Sequence, residues 1–335
     1  MFEQLLTIAR NTFIESLRQP IYVVLLITAM LTLILGTMWT AYTLDDDNKM
    51  LIDTGLSMLF LAGLLLSAFT ATGVLSREIE RKTVLTVVSK PVPRPVFVVG
   101  KYLGVAGAIG VAYWILAVEF LFTVRHQVMQ TASDPFDGPV LLLGTLAAGA
   151  ALTLAAWGNF FYRWVFNSTF ILALAVSSTL ALLGVLVVSK EWSFQPPTHD
   201  LNVQLLYGLV LVFEAVLVLT AVAVAASTRL GQVMTLVVAT GVFLLGLVSN
   251  GVFGTIVHDF PVGTATGPLD AVGRSLAWLL YAVTPNLQFL WPADAIVNGN
   301  DFTPQYLLTV SGYAALYIAA VLALAVALFQ TREVG

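Results

Sequence analysis

Residues 51–75, LIDTGLSMLFLAGLLLSAFTATGVL, form an apolar run that is followed at once by the charged stretch 76–94, SREIERKTVLTVVSKPVPR. A helix needs roughly 20 mainly apolar residues to cross the roughly 30 Å hydrocarbon core of a bilayer. Residues 51–75 meet that requirement, and a second long apolar run, 96–124, begins directly after the charged stretch. The sequence therefore predicts two membrane spans joined by a charged loop.

The composition of the chain is that of a membrane protein. Hydrophobic residues make up 59% of the 335 residues and charged residues only 10%, whereas charge is near a quarter of the residues in a soluble domain. The chain has no Cys, which excludes disulfides, thiolate metal sites and cysteine nucleophiles. We expect an all-α polytopic membrane protein whose residues 1–335 form a single transmembrane domain.

Charged residues and prolines divide the chain into eight apolar runs of spanning length. The fourth run is joined to the fifth, and the sixth to the seventh, by a very short polar turn, so each pair is predicted to be a helical hairpin. The predicted spans are 21–43, 51–75, 96–124, 139–161, 164–188, 203–226, 230–253 and 305–329.

The distribution of positive residues predicts the orientation of these spans, since cytoplasmic loops retain Lys and Arg. With the N-terminus inside, most of the 15 Lys and Arg residues lie in inner segments, and the acidic loop residues lie mainly outside. An even number of spans then places both termini in the cytoplasm. The outer positive residues are Lys49, Arg125, Lys190 and Arg274.

Residues 1–19 are predicted to form an amphipathic helix in the inner membrane interface. Apolar side chains recur there at helical spacing, while Glu3, Glu15 and Arg18 occupy other faces. A helix packed on other cytoplasmic elements is the alternative. Pro20 then turns the chain into the first span. The apolar positions are Phe2, Leu5, Leu6, Ala9, Phe13 and Leu17.

Residues 76–95 are predicted to hold a short cytoplasmic helix and a stiff hinge. Ser76 is a suitable N-cap, and charges of both signs follow it at helical spacing. Three prolines within 91–95 remove backbone donors and favour extended backbone. A loop that only anchors topology needs neither the interleaved Glu78 and Glu80 nor a stiff exit. The mixed signs favour contact with a protein.

Three pieces of this region, 76–83 (SREIERKT), 89–94 (SKPVPR) and 100–101 (GK), resemble the signature between the second and third spans of ABC transporter permeases of the type 2 exporter class. The segment 284–288 (TPNLQ), with the residues that lead to the last span, is similar to the outer loop of many such permeases. In that family the Glu-rich piece is a coupling helix that docks into a separate ATPase subunit. The resemblance implies coupling roles for Arg77, Glu78, Glu80, Arg81, Lys82, Thr83, Lys90, Pro91 and Arg94.

The resemblance implies a permease subunit of an ATP-binding-cassette exporter in the bacterial cytoplasmic (inner) membrane. The chain has no phosphate loop of its own, because Gly100-Lys101 is followed by Tyr102 and Pro95 stands where the first glycine would be. We therefore expect a transport subunit without its own cofactor, rather than an enzyme. ATP and magnesium would be bound by the partner ATPase, and a second permease chain, identical or paralogous, would complete the assembly.

The permeases that the chain resembles have a core of six spans, so one of the two predicted hairpins is expected to be an addition. The two hairpins have similar layouts, and either one leaves the C-terminus in the cytoplasm. The sequence does not distinguish between them. It also does not indicate the substrate, since lipid, peptide, antibiotic, polysaccharide and metal-linked cargo all suit an apolar bundle.

Two acidic residues lie inside predicted spans, where a charge costs roughly 2.5–3.5 kcal/mol at mid-helix. Glu214 is near the middle of 203–226, and Glu119 is near the outer end of 96–124. Each either packs against another helix with a hydrogen bond or takes part in the passage of substrate or protons, and Glu119 could instead reach Arg125 or water. An ion-gradient-driven secondary transporter or channel that uses Glu214 is the alternative function.

The outer segments carry the three histidines of the chain and a long amphipathic connection. His126, His199 and His258 have no regular ligand spacing, so we expect a solvated acidic surface there rather than a metal site. Residues 254–304 are rich in Leu, Trp and Tyr and are broken by prolines, which predicts short or re-entrant helices at the outer interface. In the resembled family this region covers the outer mouth of the pathway.

Overall fold

The chain is described by a computed structural model over residues 1–38, 47–80, 93–129, 135–260 and 266–330, with the side chains of 76–80 outside the description. Over these residues the fold is all-helical, which confirms the predicted fold class, and the extended pairing found is one bridge between Val188 and Phe194.

The helices are numbered here in chain order. They are α1 (Phe2–Leu17), α2 (Pro20–Gly36), α3 (Asp47–Glu80), α4 (Arg94–His126), α5 (Gly138–Tyr162), α6 (Phe166–Val187), α7 (Val203–Ser227), α8 (Gln232–Ser249), α9 (Thr255–Asp259), α10 (Pro268–Val283), α11 (Ala293–Val297) and α12 (Pro304–Gln330). A π-helical turn, Asn250–Gly254, joins α8 to α9, and a 3₁₀ turn, Leu287–Leu290, lies between α10 and α11.

Seven elements in the described part of the chain are long and apolar enough to cross a membrane, so the chain is a multi-pass membrane protein by length and composition. They are α3, α4, α5, α6, α7, the run α8–α9 and α12, and they match every predicted span except the first. In place of the predicted span 21–43, α2 has 17 helical residues, and 39–46 lie outside the described ranges. In the described part of the chain, seven of the eight predicted spans are therefore long helices, and the first corresponds to the shorter helix α2.

The junction of α1 and α2 is a bend of 62°. Gln19 has extended backbone (φ −70°, ψ 127°) and Pro20 is the first residue of α2. Proline suits this position because the N–H groups in the first turn of any helix have no intrahelical partner, so the N–H that proline lacks is not needed. Proline also disfavours helical backbone in the residue before it. The sequence placed this turn correctly.

The α1 helix packs along α4 on a row of glycines. Ile8 lies over Gly100, Thr12 over Gly104 and the ring of Phe13 over Gly107. A Cβ atom added at Gly104 would lie 2.5 Å from the backbone oxygen of Ala9, so only glycine allows the two backbones to approach this closely.

The centre of the bundle is formed by α3, α4 and α7, the spans with the largest buried fraction. Gly63 of α3 lies directly against Val216 of α7, and one turn further the hydroxyls of Ser67 and Thr220 are 2.8 Å apart. Small residues here allow close helix contact. The two hydroxyl groups form a hydrogen bond with each other, which lipid could not provide. The helix that carries Glu214 is therefore central to the fold.

The hairpin of α5 and α6 lies at the periphery of the bundle. Arg163 closes it in the left-handed conformation (φ 57°), and the indole of Trp164 folds onto Gly158. The two helices pack mainly on each other and, through Val118 and Phe122, on α4. The other hairpin, α7–α8, packs instead on α3 and α12. Tertiary contacts thus distinguish two hairpins that look alike in sequence.

The segment after α9 is partly inserted into the bundle. Leu287, Leu290 and Ala293 are fully buried, and the indole of Trp291 stacks on Phe60 of α3 with ring centroids 5.7 Å apart. Three tyrosines of α12 form hydrogen bonds to the backbone of this segment. Tyr306 Oη donates to Phe289 O (2.8 Å), Tyr317 Oη donates to Val283 O (2.8 Å), and Tyr313 Oη accepts from Asn286 N (2.7 Å).

Candidate functional site

One end of the bundle, which we call the terminal end, holds α1 and the last turn of α12. Leu75, Phe97, Ala225 and Phe329 pack there in one buried cluster, so the ends of α3, α4, α7 and α12 are neighbours. The charged stretch 76–94 leaves from the end of α3 and returns at the start of α4. It therefore begins and ends at the terminal end.

The structure describes only part of the predicted coupling segment. The helix α3 runs through Ser76 to Glu80 without a break, so no new helix is capped by Ser76 as the sequence predicted. No Gly or Pro interrupts 76–80, and a helix that is already formed extends at little cost through such residues. The backbones of Arg77, Glu78 and Glu80 are thus helical. Arg81, Lys82, Thr83, Lys90 and Pro91 lie outside the described residues.

Arg94 is the one predicted coupling residue whose side chain is described, and it contacts the end of α12. Its Nη1 donates to the carbonyl oxygen of Gln330, and Nε of Arg229, from the turn between α7 and α8, donates to Leu328 O at 2.9 Å. The last carbonyls of a helix lack intrahelical partners, and positive charge is favourable at that end of the helix dipole. Two guanidinium groups therefore fasten α12 to the start of α4 and to the α7–α8 turn.

Aromatic packing supports this fastening from within the bundle. The rings of Phe97 and Phe329 stack with centroids 5.3 Å apart, and both side chains are buried. Nζ of the buried Lys101 lies 5.6 Å from the Phe97 ring centroid, a cation–π geometry. The sequence offered Gly100-Lys101 only as part of a motif. The packing of Phe97 on Phe329 was missed, because nothing in the sequence indicates which Phe residues of two distant spans meet.

Glu214 forms a helix-to-helix contact in the centre of the bundle. Ser311 Oγ of α12 donates to its Oε1 at 2.6 Å, which fits the predicted hydrogen-bonded packing against another helix. Its second oxygen, Oε2, is buried and has no hydrogen-bond partner among the described residues. The carboxyl group thus keeps one acceptor that the surrounding helices do not satisfy.

Glu119 does not reach Arg125, which was one of its predicted partners. Arg125 points instead toward α5 and the loop 188–202, with Nε 3.0 Å from Asp137 Oδ2 and Nη1 3.2 Å from Asp200 Oδ2. Glu119 lines a cavity on another side of α4, between α2 and the α5–α6 hairpin. The two predicted intramembrane acids therefore occupy separate sites.

Arg125 joins four elements at the opposite end of the bundle, which we call the loop end because it holds the loop 188–202. Besides the two carboxylates, its guanidinium donates to Val185 O and to Val188 O (2.6 Å) at the end of α6. Asp137 is fully buried and caps α5 by accepting from Val140 N at 3.1 Å. The sequence treated Arg125 as an outer positive charge and as a possible partner of Glu119. The position of Asp137 directly before Gly138-Pro139 is typical of a helix N-cap, but the sequence does not indicate that Arg125 is the ion-pair partner of Asp137.

A local charge cluster lies around Asp200 on the predicted acidic outer surface. His199 Nδ1 is 2.9 Å from Asp200 Oδ1, and Gln195 donates to the same carboxylate. Burial raises the pKa of Asp200, but these hydrogen bonds and the charge of Arg125 outweigh it, so the pKa lies below the usual aspartate range. Among the residues that the structure describes, no three His, Asp or Glu side chains converge in a way that could hold a metal ion.

The contacts at the terminal end form a connected path between helices. Arg94 and Phe97, at the start of α4, contact α12, and α12 in turn contacts Glu214 of the central α7. No protein-family model and no curated protein matches this chain.

Proposed function

We propose that this chain is the membrane-spanning permease subunit of an ATP-binding-cassette exporter, with residues 76–95 as the contact for a separate ATPase subunit. The proposal rests on the motif resemblance in 76–101 and on the multi-pass helical fold. The chain itself lacks a phosphate-binding loop, so energy would come from ATP and magnesium bound by the partner chain.

The observation that carries the proposal is the contact between Arg94 and the end of α12. A segment that only connects two spans has no need to be tied to a third one, whereas a coupling segment must pass its movement to the helices around a pathway. Arg94 at the end of 76–94 is tied to Gln330, and α12 contacts both the buried segment 287–293 and Glu214. These contacts run from one end of the bundle to the other.

The assembly that follows from this function contains two permease chains and two ATPase chains in the bacterial inner membrane. The six-span core would consist of α2, α3, α4, α7, α8–α9 and α12. The α5–α6 hairpin would be the addition, since it packs at the periphery and contacts the other spans mainly through α4. The segment after α9 would close the outer mouth of the pathway.

Charge reversal in the coupling segment tests the proposal. In the triple variant Glu78→Lys, Glu80→Lys, Arg81→Glu, we expect an ATPase bearing a Walker A motif to be lost from the purified native complex, while the thermal unfolding of the permease is unchanged. Glu191→Lys, which reverses an exposed charge at the loop end, serves as the control and keeps the ATPase. Full retention of the ATPase and of transport in the triple variant would overturn the proposal.

The second candidate function is transport driven by an ion gradient through Glu214. It is favoured by one observation, the buried Oε2 atom that has no hydrogen-bond partner in the described part of the chain, because proton relays use intramembrane carboxyl groups. Vesicles that contain the purified chain alone distinguish the two functions. Substrate uptake that requires a proton gradient, needs no ATPase and is abolished by Glu214→Gln would favour the second candidate over the first.

A further inference from the structure

A cavity of about 280 Å³ lies between α2, α4 and the α5–α6 hairpin, in the half of the bundle nearer the loop end. Ligand pockets in proteins usually have volumes of about 300–1,000 Å³, so this cavity is near the lower end of that range. Its lining is mostly apolar and includes three methionines, whose flexible side chains adapt to ligands of different shape. The principal apolar lining residues are Met30, Ile34, Ile115, Phe122, Met129 and Leu174.

The hydroxyl groups around this cavity already donate to their own helices. Thr37 Oγ1 donates to Ile34 O at 2.7 Å, Thr123 Oγ1 to Phe120 O at 2.8 Å, and Thr145 Oγ1 to Leu141 O at 2.6 Å. Ser178 does the same with Ala175 O at 3.2 Å. A ligand in the cavity therefore meets few free donors.

Glu119 is the acidic residue that lines the cavity, and no hydrogen bond or ion pair to it occurs within the described ranges. The nearest cation along its helix, Arg125, is taken by Asp137 and Asp200. His126 also lines the cavity, but its Nδ1 lies 3.0 Å from Gln127 O, and Lys190 lies 3.5 Å from His126 O. Among the residues that the structure describes, the carboxyl group of Glu119 thus faces the cavity without a positively charged partner.

The depth of Glu119 suits the head of an amphiphile. It precedes His126, the last residue of α4, by seven positions, which is about 10 Å along a helix. The membrane interface extends to about that depth from the end of a long span, so a polar head at Glu119 lies just below the lipid headgroups. The apolar lining contributed by α2, α5 and α6 would then surround a hydrocarbon chain.

We propose that this cavity binds an amphiphilic amine, with its ammonium group beside Glu119 and its alkyl chain against the apolar lining. An ionised carboxylate only accepts hydrogen bonds and an ammonium only donates them, so the two groups are complementary in charge and in hydrogen bonding. The alkyl chain fills space that the protein leaves empty. The site lies within one chain and does not depend on the energy source of transport.

Equilibrium binding of radiolabelled dodecylamine to the purified chain in phosphatidylcholine nanodiscs tests this site, with empty nanodiscs as the background and dodecanol as the uncharged competitor. We expect saturable binding that dodecylamine displaces at least tenfold better than dodecanol. Glu119→Gln should remove this preference. Ala148→Phe, which fills the cavity from an exposed position of α5, should abolish saturable binding of either compound, and Glu191→Gln at the exposed loop end should bind as the unaltered chain does.

Two results would overturn the proposal. Equal displacement by amine and alcohol in the unaltered chain would show that the cavity holds only hydrocarbon, such as a lipid acyl chain. Undiminished amine preference in Glu119→Gln would place the amine elsewhere. Both results are independent of any ATPase, so they leave the proposed exporter function untouched, and loss of ATPase binding in the coupling variant leaves this site untouched.

Discussion

Arg125 shows how a single side chain fixes the peripheral hairpin to the rest of the bundle. Its guanidinium contacts the cap of α5, the end of α6 and the loop before α7, all from the end of α4. The side chain is only 9% exposed and its partner Asp137 is fully buried. Buried charges are costly unless they are paired, so the loss of one partner matters more here than at the surface.

We expect Arg125→Gln to destabilise the chain by roughly 3 kcal/mol, because it leaves the buried carboxylate of Asp137 without its counter-charge. Thermal unfolding in nanodiscs measures this loss. The double variant Arg125→Gln, Asp137→Asn should recover part of it, since no uncompensated charge remains. Equal stability of Arg125→Gln and the unaltered chain would contradict the structural role of this pair.

The lowered pKa of Asp200 predicts an acid-dependent loss of stability at the loop end. A carboxyl group with a lowered folded pKa stabilises the fold fully above its unfolded value, ordinarily 3.8, and this contribution is lost as the pH falls through the folded value. Unfolding temperatures of the unaltered chain and of Asp200→Asn should therefore differ at neutral pH and converge below the ordinary aspartate range. A difference that persists unchanged in strong acid would argue against the ion pair with Arg125.

Among the elements, α1 is tied to the bundle along one face while its opposite face is open. Thr12, Ser16 and Leu17 are buried, whereas Phe2 and Leu6 are 71% and 53% exposed. The open apolar face is the one that would enter the lipid interface in the predicted orientation. The alternatives from the sequence were an interfacial helix and a helix packed on other cytoplasmic elements. The structure packs one face of α1 on α4, a predicted span, and leaves the other face open to contact lipid.

The close contact of α1 with α4 predicts that Gly104 does not tolerate a side chain. Gly104→Leu would force its Cβ against the backbone oxygen of Ala9 and should destabilise the chain by about 1–3 kcal/mol through overpacking. Gly241→Leu, at a glycine with open space around it, is the matched control and should be close to neutral. Protease sensitivity of the first twenty or so residues, compared between the two variants, reports whether α1 has detached.

The whole molecule has two distinct ends, and the distribution of charge predicts which one faces the cytoplasm. The described residues that flank 81–92 and the last turn of α12 are at the terminal end, whereas the loop 188–202 is at the other. The excess of Lys and Arg in the segments predicted to be inner leads us to expect that the terminal end faces the cytoplasm.

Cysteine labelling tests this orientation directly, because the chain contains no Cys of its own. A single Thr198→Cys, at an exposed position of the loop end, should react with a membrane-impermeant maleimide added to intact cells. A single Thr83→Cys should react only after the cells are opened. Leu219→Cys, in the buried core of α7, is the unreactive control in both cases. The reverse pattern would invert the predicted topology.

Prediction from sequence succeeded where the signal was local and failed where it needed a partner. Seven of the eight predicted spans match long apolar helices in the described part of the chain, and the break at Pro20 was predicted correctly. The helix predicted to begin at Ser76 was wrong, since α3 continues through that position. The partners of Glu214, Arg94 and Arg125 come from segments distant in the chain, and no local pattern indicates such pairings.

The sequence by itself determined that this is an all-helical, multi-pass membrane protein, because hydrocarbon excludes unpaired backbone and only long apolar helices satisfy it there. It also determined that the chain carries no phosphate loop and no thiol chemistry. Tertiary structure alone decided which hairpin is peripheral, which acid contacts a helix and which faces a cavity. In lipid every long apolar helix looks alike, and only the small residues and paired polar groups of packed surfaces distinguish one neighbour from another.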